Sequence, residues 1–284
     1  MVKYLYSVGD SFSYGEGLLD SCRHLPRLSP WQKYDLSSAG LTNLYYYNRE
    51  EYDQLVIIKN SYTIGGYLGK LLGAEFFNYA QPGAAIDSIM FQLHLVLEDI
   101  RIKNYSLDEC FILVGLTTPF RKMHLGNLLK SDGRHHTPEE LATCLTGSIY
   151  LSNPKFSAHT STNLCIEWVK ELTNSQFKIE FCFTVSGMAN MLLLKKIPFM
   201  LLNIWSDSFM DTSEGVTNNM CKTIMGVNSV HDNLFPEYPA SLKTSVTKEI
   251  YKENLNLVGH PNTKLNELWA DLILPRVITY STKI

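Results

Sequence analysis

The sequence predicts an α/β fold, a three-layer α/β/α sandwich whose central β-sheet is mostly parallel. Two observations predict it: short apolar runs of strand length alternate with longer segments of helical periodicity, and polar motifs directly follow the apolar runs. A parallel sheet of this kind has helices on both of its faces. At 284 residues, 45% of them hydrophobic, the chain is long enough for one large domain over residues 1–284.

The apolar runs and the helical segments can be placed along the chain. The runs with strand length and composition are Tyr4–Val8, Phe76–Tyr79, Cys110–Val114 and Phe199–Ile204. Helices are predicted over Tyr62–Leu72, which ends at the C-cap glycine Gly73, over Ile86–Ile102, and over Thr263–Leu274, which Pro275 terminates.

The stretch Phe177–Lys196 has two interpretations. Ile179–Val185 has the composition of a strand. However, apolar residues recur every three or four positions over the whole stretch, which favours one long helix that ends at Ile197-Pro198.

Two long segments interrupt the alternation and are predicted to be irregular insertions. Residues 22–59 are rich in tyrosine, including Tyr45, Tyr46 and Tyr47, and residues 207–256 are polar and rich in turn-forming residues. Long connections without regular structure often form lids or binding loops. We therefore expect both segments at the carboxyl edge of the sheet, where they would line or cover a pocket.

Charge and composition exclude some classes of function. The 25 basic and 28 acidic side chains give a net charge of −3, and no clustered basic face of the kind that binds nucleic acid is evident. No apolar run reaches the roughly 18 residues of a membrane span. Neither nucleic acid nor a membrane is therefore predicted as a partner. The six cysteines have no paired spacing, which indicates reduced thiols in a protein that folds in a cytosol.

The first polar motif, Gly9-Asp10-Ser11-Phe12, follows the first strand directly. A serine in a tight strand-to-helix turn presents its hydroxyl at the carboxyl edge of the sheet, and a flanking glycine tolerates the strain of such a turn. The motif predicts a surface-exposed serine nucleophile, and an ordinary serine-containing turn is the alternative.

Two further motifs follow the second and third strands. In Asn78–Gly83, the glycine after proline could bring its backbone N–H close to a ligand, as an oxyanion hole requires, or could simply form a turn. In Gly115–Pro119, polar side chains including Thr117 could line a pocket or cap the next turn. The residues alone leave both alternatives open.

The last motif, Gly259-His260-Pro261-Asn262, immediately precedes the final helix. A histidine on a loop between glycine and proline is suited to act as general base for a serine, although a lone histidine is more often a surface or capping residue. Elsewhere, His124, His135 and His136 lack the spacing of metal ligands, and Gly15-Glu16-Gly17 lacks the third glycine of a dinucleotide-binding motif. No metal or other cofactor is therefore predicted.

In their order along the chain, the four motifs resemble those of the SGNH (GDSL-type) hydrolase family, and they span nearly the whole sequence. The Gly-Asp-Ser-Phe near the start and the Gly-His-Pro-Asn near the end are most similar to the SGNH-like proteins of large tailed bacteriophages. This resemblance implies a flavodoxin-like sheet, with Ser11 as nucleophile and His260 as base. It further implies an oxyanion hole made by the backbone N–H groups of Ser11 and Gly83, with Thr117 at the third donor position.

The chain departs from the pattern of the family at two places. Thr117 stands where the family has an asparagine, and the loss of one oxyanion donor costs on the order of 10²–10³ in kcat. The acid of the family precedes the histidine by two or three positions, where this chain has Val258 and Leu257. Glu253, Asp232 or a backbone carbonyl are the candidates to replace that acid.

Two functions of different classes follow from these residues. The first is a serine esterase that acts on an ester or carbohydrate substrate, such as acetylated bacterial surface polysaccharide. The second is a bacteriophage virion protein that keeps the SGNH scaffold without its chemistry and contacts other virion proteins. Either protein would be made in the cytoplasm of a bacterial host, and the second would enter the phage particle.

Overall fold

The computed structural model describes residues 1–22, 26–31, 33–36, 38–82, 84–117, 121–123, 148–150, 157–158, 174–204, 220, 223–224, 226–236, 241–256 and 259–282. Within them, a main sheet has five strands and a separate small sheet has three. Helices pack on both faces of the main sheet, so the fold is the predicted three-layer α/β/α sandwich.

The main sheet is parallel throughout. The strands are, in chain order, β1 (Tyr4–Val8), β2 (Glu75–Asn78), β3 (Cys110–Leu116), β4 (Arg121–Met123), β5 (Ser148–Tyr150), β6 (Ser157–Ala158), β7 (Phe199–Asn203) and β8 (Leu234–Phe235). The main sheet has the order β2-β1-β3-β7-β8. The small sheet, β4-β5-β6, is antiparallel, and the sequence analysis did not predict it.

The helices range from single turns to more than five turns. They are, in chain order, α1 (Ser11–Tyr14), α2 (Leu18–Ser21), α3 (Ser38–Tyr47), α4 (Arg49–Asn60), α5 (Ile64–Leu72), α6 (Ile86–Ile102), α7 (Asn174–Leu194), α8 (Asn228–His231), α9 (Lys248–Glu253) and α10 (Thr263–Ser281). Two 3₁₀ helices span Pro26–Trp31 and Leu107–Glu109. In the described part of the chain, no helix combines the length and the apolarity that a bilayer crossing requires.

Strand β1 shows how the two faces of the sheet are covered. Tyr6 and Val8 pack into a core formed with α6 and α7, whereas Leu5 packs into a second core formed with α5 and α10. Successive residues of a strand lie on opposite faces, so a run with apolar residues at both odd and even positions contributes to both cores.

The position of β1 between β2 and β3 creates a crevice at the carboxyl edge of the sheet. In register, Tyr6 lies beside Phe77 of β2 and Ile112 of β3. The chain leaves β1 toward one side to form β2 and then crosses to the other side to form β3. In α/β sheets, ligands bind where the connections diverge in this way, and Ser11 directly follows β1 at that point.

The predicted strands and helices are present, with small shifts in their ends. Helix α6 has the predicted bounds, and α5 ends as predicted at Gly73, whose φ of 65° is left-handed. The stretch with two interpretations is helical: it forms α7, which packs against the sheet. Cys22, Cys110 and Cys182 are buried free thiols.

The prediction that the last helix ends before Pro275 is wrong. Helix α10 continues to Ser281, with the proline inside it. A proline within a helix costs about 3 kcal/mol because it removes one backbone hydrogen bond and crowds the preceding turn. The residues beyond it offset that cost, since Val277 and Tyr280 are buried in the core that α5 and α10 form with the sheet.

The prediction that residues 22–59 are irregular is also wrong. This segment forms a 3₁₀ helix, α3 and α4, and its leucines pack with Trp31 and Tyr52 into a small core of their own. The N-terminus of α4 has a signal that the sequence analysis missed. Asn48 is its N-cap and accepts a hydrogen bond from the backbone N–H of Glu51, the spacing of a capping box.

The segment 207–256 contains more regular structure than predicted. It supplies β8, which pairs in parallel with β7 and completes the main sheet, as well as α8 and α9. Two residues are too few for hydrophobic periodicity to reveal such a strand. The described part of the segment does reach the carboxyl edge of the sheet, where the Leu242 N–H donates to the Asn203 carbonyl at the end of β7 (2.8 Å).

The extension of α10 can be tested with two adjacent residues beyond Pro275. Val277→Ala should lower the free energy of unfolding by about 2–3 kcal/mol, because Val277 is fully buried. Ile278→Ala is the matched control, since Ile278 is 50% exposed and its truncation should change stability by no more than about 0.5 kcal/mol. Urea denaturation measures both values. Equal effects of the two substitutions would show that the helix does not dock beyond the proline.

Candidate active site

The turn that follows β1 requires a glycine. Gly9 has a φ of +149°, and a Cβ atom there would lie 2.5 Å from the Ser13 Oγ and 3.0 Å from the Gly115 carbonyl oxygen. No side chain fits into this space, so the chain can turn sharply from β1 into α1 only with glycine at this position. The sequence prediction of a strained strand-to-helix turn agrees with this geometry.

A buried amide fixes the orientation of Gly9. The Gln92 Oε1 on α6 accepts from the Gly9 N–H (2.7 Å), and the Gln92 Nε2 donates to the Gly9 carbonyl (3.1 Å). Both backbone groups of Gly9 take part in this pairing, which resembles a short piece of sheet. The Gly9 carbonyl also accepts from the Gln81 N–H (3.1 Å), so the loop after β2 is attached to the same turn.

The second polar motif contributes through Asn78. Its Nδ2 donates to the Ser13 carbonyl (3.2 Å) and to the Asn60 Oδ1 (3.2 Å), while its Oδ1 accepts from the Ala80 N–H (3.1 Å). Asn78 therefore connects the loop after β2 with helix α1. Gly83, the predicted oxyanion donor of this motif, lies outside the described residues.

Ser11 and His260 meet at the carboxyl edge of the sheet although they are 249 positions apart. The His260 Nε2 lies 2.7 Å from the Ser11 Oγ, which is hydrogen-bonding distance. Asp10 is the N-cap of the helix that carries Ser11, and its Oδ1 accepts from the Phe12 N–H (3.1 Å). Ser11 is only 2% exposed, so the expectation of a surface-exposed serine is wrong.

A short loop presents His260 to the serine. Gly259 has a left-handed φ of +78°, and its N–H donates to the Asn256 carbonyl (3.0 Å). The His260 ring packs against Phe12, with 4.8 Å between the ring centroids. Asn262 then caps α10, since its Oδ1 accepts from the Leu265 N–H (3.0 Å). The imidazole is thus positioned by the loop, by Phe12 and by the helix that follows.

The structure adds Glu16, which the sequence analysis treated only as part of an incomplete glycine motif. Its Oε2 lies 3.7 Å from the His260 Nε2, and its side chain is 26% exposed. Gly15, with a left-handed φ of +79°, ends α1 and returns the chain toward Ser11, whose carbonyl accepts from the Glu16 N–H (3.1 Å). A charged residue between two glycines, directly after the helix that carries Ser11, was the available signal.

The other predicted site residues lie at different places. Thr117 is fully buried at the end of β3. The two candidate acids are not brought to His260: Glu253 is exposed at the end of α9, and Asp232 is exposed with its carboxylate 3.5 Å from the His231 Nδ1. Leu257 and Val258 lie outside the described residues, as do His124, His135 and His136. Among the described residues, no group of three or more His, Cys, Asp or Glu side chains is arranged to hold a metal ion.

A buried lysine lies next to this site. The Lys59 Nζ is 3.0 Å from the centroid of the Tyr14 ring, and within the described part of the chain it has no hydrogen-bond partner. Burial lowers the pKa of the Lys59 amine well below its usual value, while the charge of Glu16 acts in the opposite direction. The last turn of α4 thus reaches the carboxyl edge of the sheet, as expected for the segment 22–59.

The buried amine predicts a pH-dependent stability. Because the pKa of Lys59 is lower in the folded than in the unfolded chain, the unfolded chain binds more protons between the two values, and the free energy of unfolding rises with pH there. Lys59→Met should raise the free energy of unfolding at pH 7 by about 1–3 kcal/mol, and the gain should be smaller at pH 10. Urea denaturation at both values measures it. Lys70→Met, at an exposed position, is the control and should show neither effect; a destabilised Lys59→Met would contradict the prediction.

The known proteins that the chain resembles are solved structures. No family model and no curated protein matches the chain. A carbohydrate esterase with catalytic and non-catalytic binding functions is 14% identical, with a TM-score of 0.44 over 98% of this chain and 65% of that one. A carbohydrate esterase family 2 enzyme with a carbohydrate-binding domain, from Corynascus thermopiles (Myceliophthora fergusii), is 14% identical, with a TM-score of 0.44 over 98% and 66%. An acetyl xylan esterase from the rumen bacterium Butyrivibrio proteoclasticus is 12% identical, with a TM-score of 0.47 over 98% and 64%.

The chain spans just under two thirds of the length of these three proteins. The TM-scores are at most 0.47, and the fold is defined instead by the strand order of the sheet and by the helices packed on its two faces.

Proposed function

We propose that the protein is a serine esterase in which Ser11 is the nucleophile and His260 the general base. The observation that carries the proposal is the 2.7 Å contact between the Ser11 Oγ and the His260 Nε2, at the edge of the sheet where the connections diverge. A serine becomes nucleophilic when an adjacent base can take its proton, and the contact provides that geometry. The resemblance of the four sequence motifs to SGNH hydrolases agrees with it.

The reaction would proceed in two steps. The Ser11 Oγ attacks the ester carbonyl while the His260 Nε2 takes its proton, and the imidazolium then protonates the leaving alcohol, which leaves an acyl-serine. Water then attacks the acyl group while His260 takes a proton from it, and the imidazolium returns this proton to the Ser11 Oγ as the acid is released. The Glu16 carboxylate, 3.7 Å from the Nε2, would stabilise the imidazolium in both steps. The backbone N–H groups of Ser11 and Gly83 are the proposed oxyanion donors.

The substrate that we propose is an ester on a carbohydrate, such as acetylated bacterial surface polysaccharide. The support for this substrate is the sequence resemblance. Release of acetate from an acetylated polysaccharide, compared with release from the same polymer after chemical deacetylation, would test it.

Ester hydrolysis should depend on Ser11 and His260 together. Ser11→Ala should lower kcat for p-nitrophenyl acetate on the order of 10⁴-fold or more, and the double variant with His260→Ala should lose no more than either single variant. Because Ser11 is buried and bonded to His260, its truncation should also change the free energy of unfolding by about 1 kcal/mol.

Ser13→Ala is the matched control, because Ser13 is a buried serine two positions further along the same helix. It should keep turnover within a few-fold of the wild type. Wild-type turnover that survives Ser11→Ala would show that the active site is elsewhere.

A second candidate function is a bacteriophage virion protein that keeps the scaffold without the chemistry. It is favoured by Leu257 and Val258, which stand where the related hydrolases have an acid, and by Thr117 in place of an asparagine. In that case the wild type would show no turnover, whereas Val258→Asp or Leu257→Asp would create it. Either candidate would be made in the cytoplasm of a bacterial host. Incorporation into a phage particle belongs to the second candidate alone, and mass spectrometry of purified particles would test it.

A further inference from the structure

The contact between Ser11 and His260 belongs to a closed ring of hydrogen bonds through four residues. The Ser11 carbonyl accepts from the Glu16 N–H (3.1 Å), and the Glu16 carbonyl accepts from the Asn256 Nδ2 (2.8 Å). The Asn256 Oδ1 accepts from the His260 N–H (3.0 Å), and the His260 Nε2 contacts the Ser11 Oγ (2.7 Å). Asn256 is the member of this ring that connects the turn of the nucleophile with the loop of the base.

Asn256 uses both ends of its side-chain amide for this connection. The amide is planar and holds its donor and its acceptor in a fixed relation, so it constrains the two loops in direction as well as in distance. The backbone of Asn256 adds to the constraint, because its N–H donates to the His260 carbonyl (2.6 Å) and its carbonyl accepts from Gly259. The residue is only 9% exposed, so water competes little for these bonds.

We propose that Asn256 is a positioning residue, which sets the distance between Ser11 and His260; this inference rests on the proposed esterase function. The two residues are 249 positions apart in the sequence, so local structure alone does not place their side chains together. A displacement of about 1 Å between a nucleophile and its base can cost on the order of 10²-fold in rate. The two hydrogen bonds of the Asn256 amide restrict such a displacement.

The chain offers a matched control two positions away. Asn254 is also buried, at 7% exposure, and lies in the same segment between α9 and α10. Its Nδ2 donates to the Ile250 carbonyl (2.8 Å) and its Oδ1 accepts from the Asn262 Nδ2 (3.4 Å), both within the C-terminal part of the chain. Asn254→Ala therefore removes a buried amide of the same kind without touching the connection to Glu16.

The kinetic test compares Asn256→Ala with Asn254→Ala, each at a temperature where circular dichroism shows it to be fully folded. Asn256→Ala should lower kcat for p-nitrophenyl acetate by about 10–100-fold and leave KM within about two-fold, because substrate binding is intact while the reacting atoms are displaced. Asn254→Ala should keep kcat within about two-fold. Equal losses in the two variants, or a change in KM alone, would overturn the positioning role.

Hydrogen exchange followed by mass spectrometry gives a second readout that needs no activity. In Asn256→Ala, peptides that cover residues 9–18 and residues 255–262 should both exchange faster, because the turn of Ser11 and the loop of His260 are released together. In Asn254→Ala, only the C-terminal peptide should do so. Unchanged exchange over 9–18 in Asn256→Ala would overturn the inference. A wild type without turnover overturns the proposed function and the catalytic part of the inference, whereas turnover that Asn256→Ala retains overturns the inference alone.

Discussion

The geometry of the site depends on the space that two glycines leave between β1, α1 and β3. A side chain at Gly9 would collide with the Ser13 Oγ, and one at Gly115 would collide with the same hydroxyl. Because neither glycine has a side chain, the first turn of α1 can lie directly against the end of β3, with Ser11 at the point where the connections of the sheet diverge. The pairing of Gly9 with the Gln92 amide then holds this arrangement from the helical layer beside it. The position of Ser11 therefore follows from backbone packing and does not depend on the contact with His260.

The parts of the fold that the sequence predicted are those with strong periodicity. The strands around β1 and helix α6 are buried on defined faces, so their apolar patterns carry the information. At Pro275 the prediction was wrong because tertiary packing outweighs a local rule: the burial of Val277 and Tyr280 stabilises the helix beyond the proline. Strand β8 was not predicted because it is too short to show a hydrophobic period. In the site, the order of the motifs predicted the approach of Ser11 to His260. The roles of Glu16 and Asn256 depend on contacts between distant loops, which no local pattern contains.

Two ionisable side chains, Glu16 and Lys59, lie beside the contact between Ser11 and His260. Glu16 is a partly exposed carboxylate next to the His260 ring, and Lys59 is a buried amine that lies over the Tyr14 ring. Burial disfavours the charged form of the amine and lowers the pKa of Lys59, whereas the negative charge of Glu16 acts in the opposite direction. The Glu16 carboxylate therefore acts on two cationic groups, the Lys59 amine and, in the proposed reaction, the His260 imidazolium.

The ring through Ser11, Glu16, Asn256 and His260 has a consequence for the time at which the site forms. During synthesis, Ser11 and its turn leave the ribosome before most of the sheet has been made, whereas Asn256 and His260 follow only after it. A nascent chain therefore carries the serine without its base and without the connection that holds the two together. The contact between Ser11 and His260 can therefore form only late in synthesis, and a chain released before Asn256 lacks it.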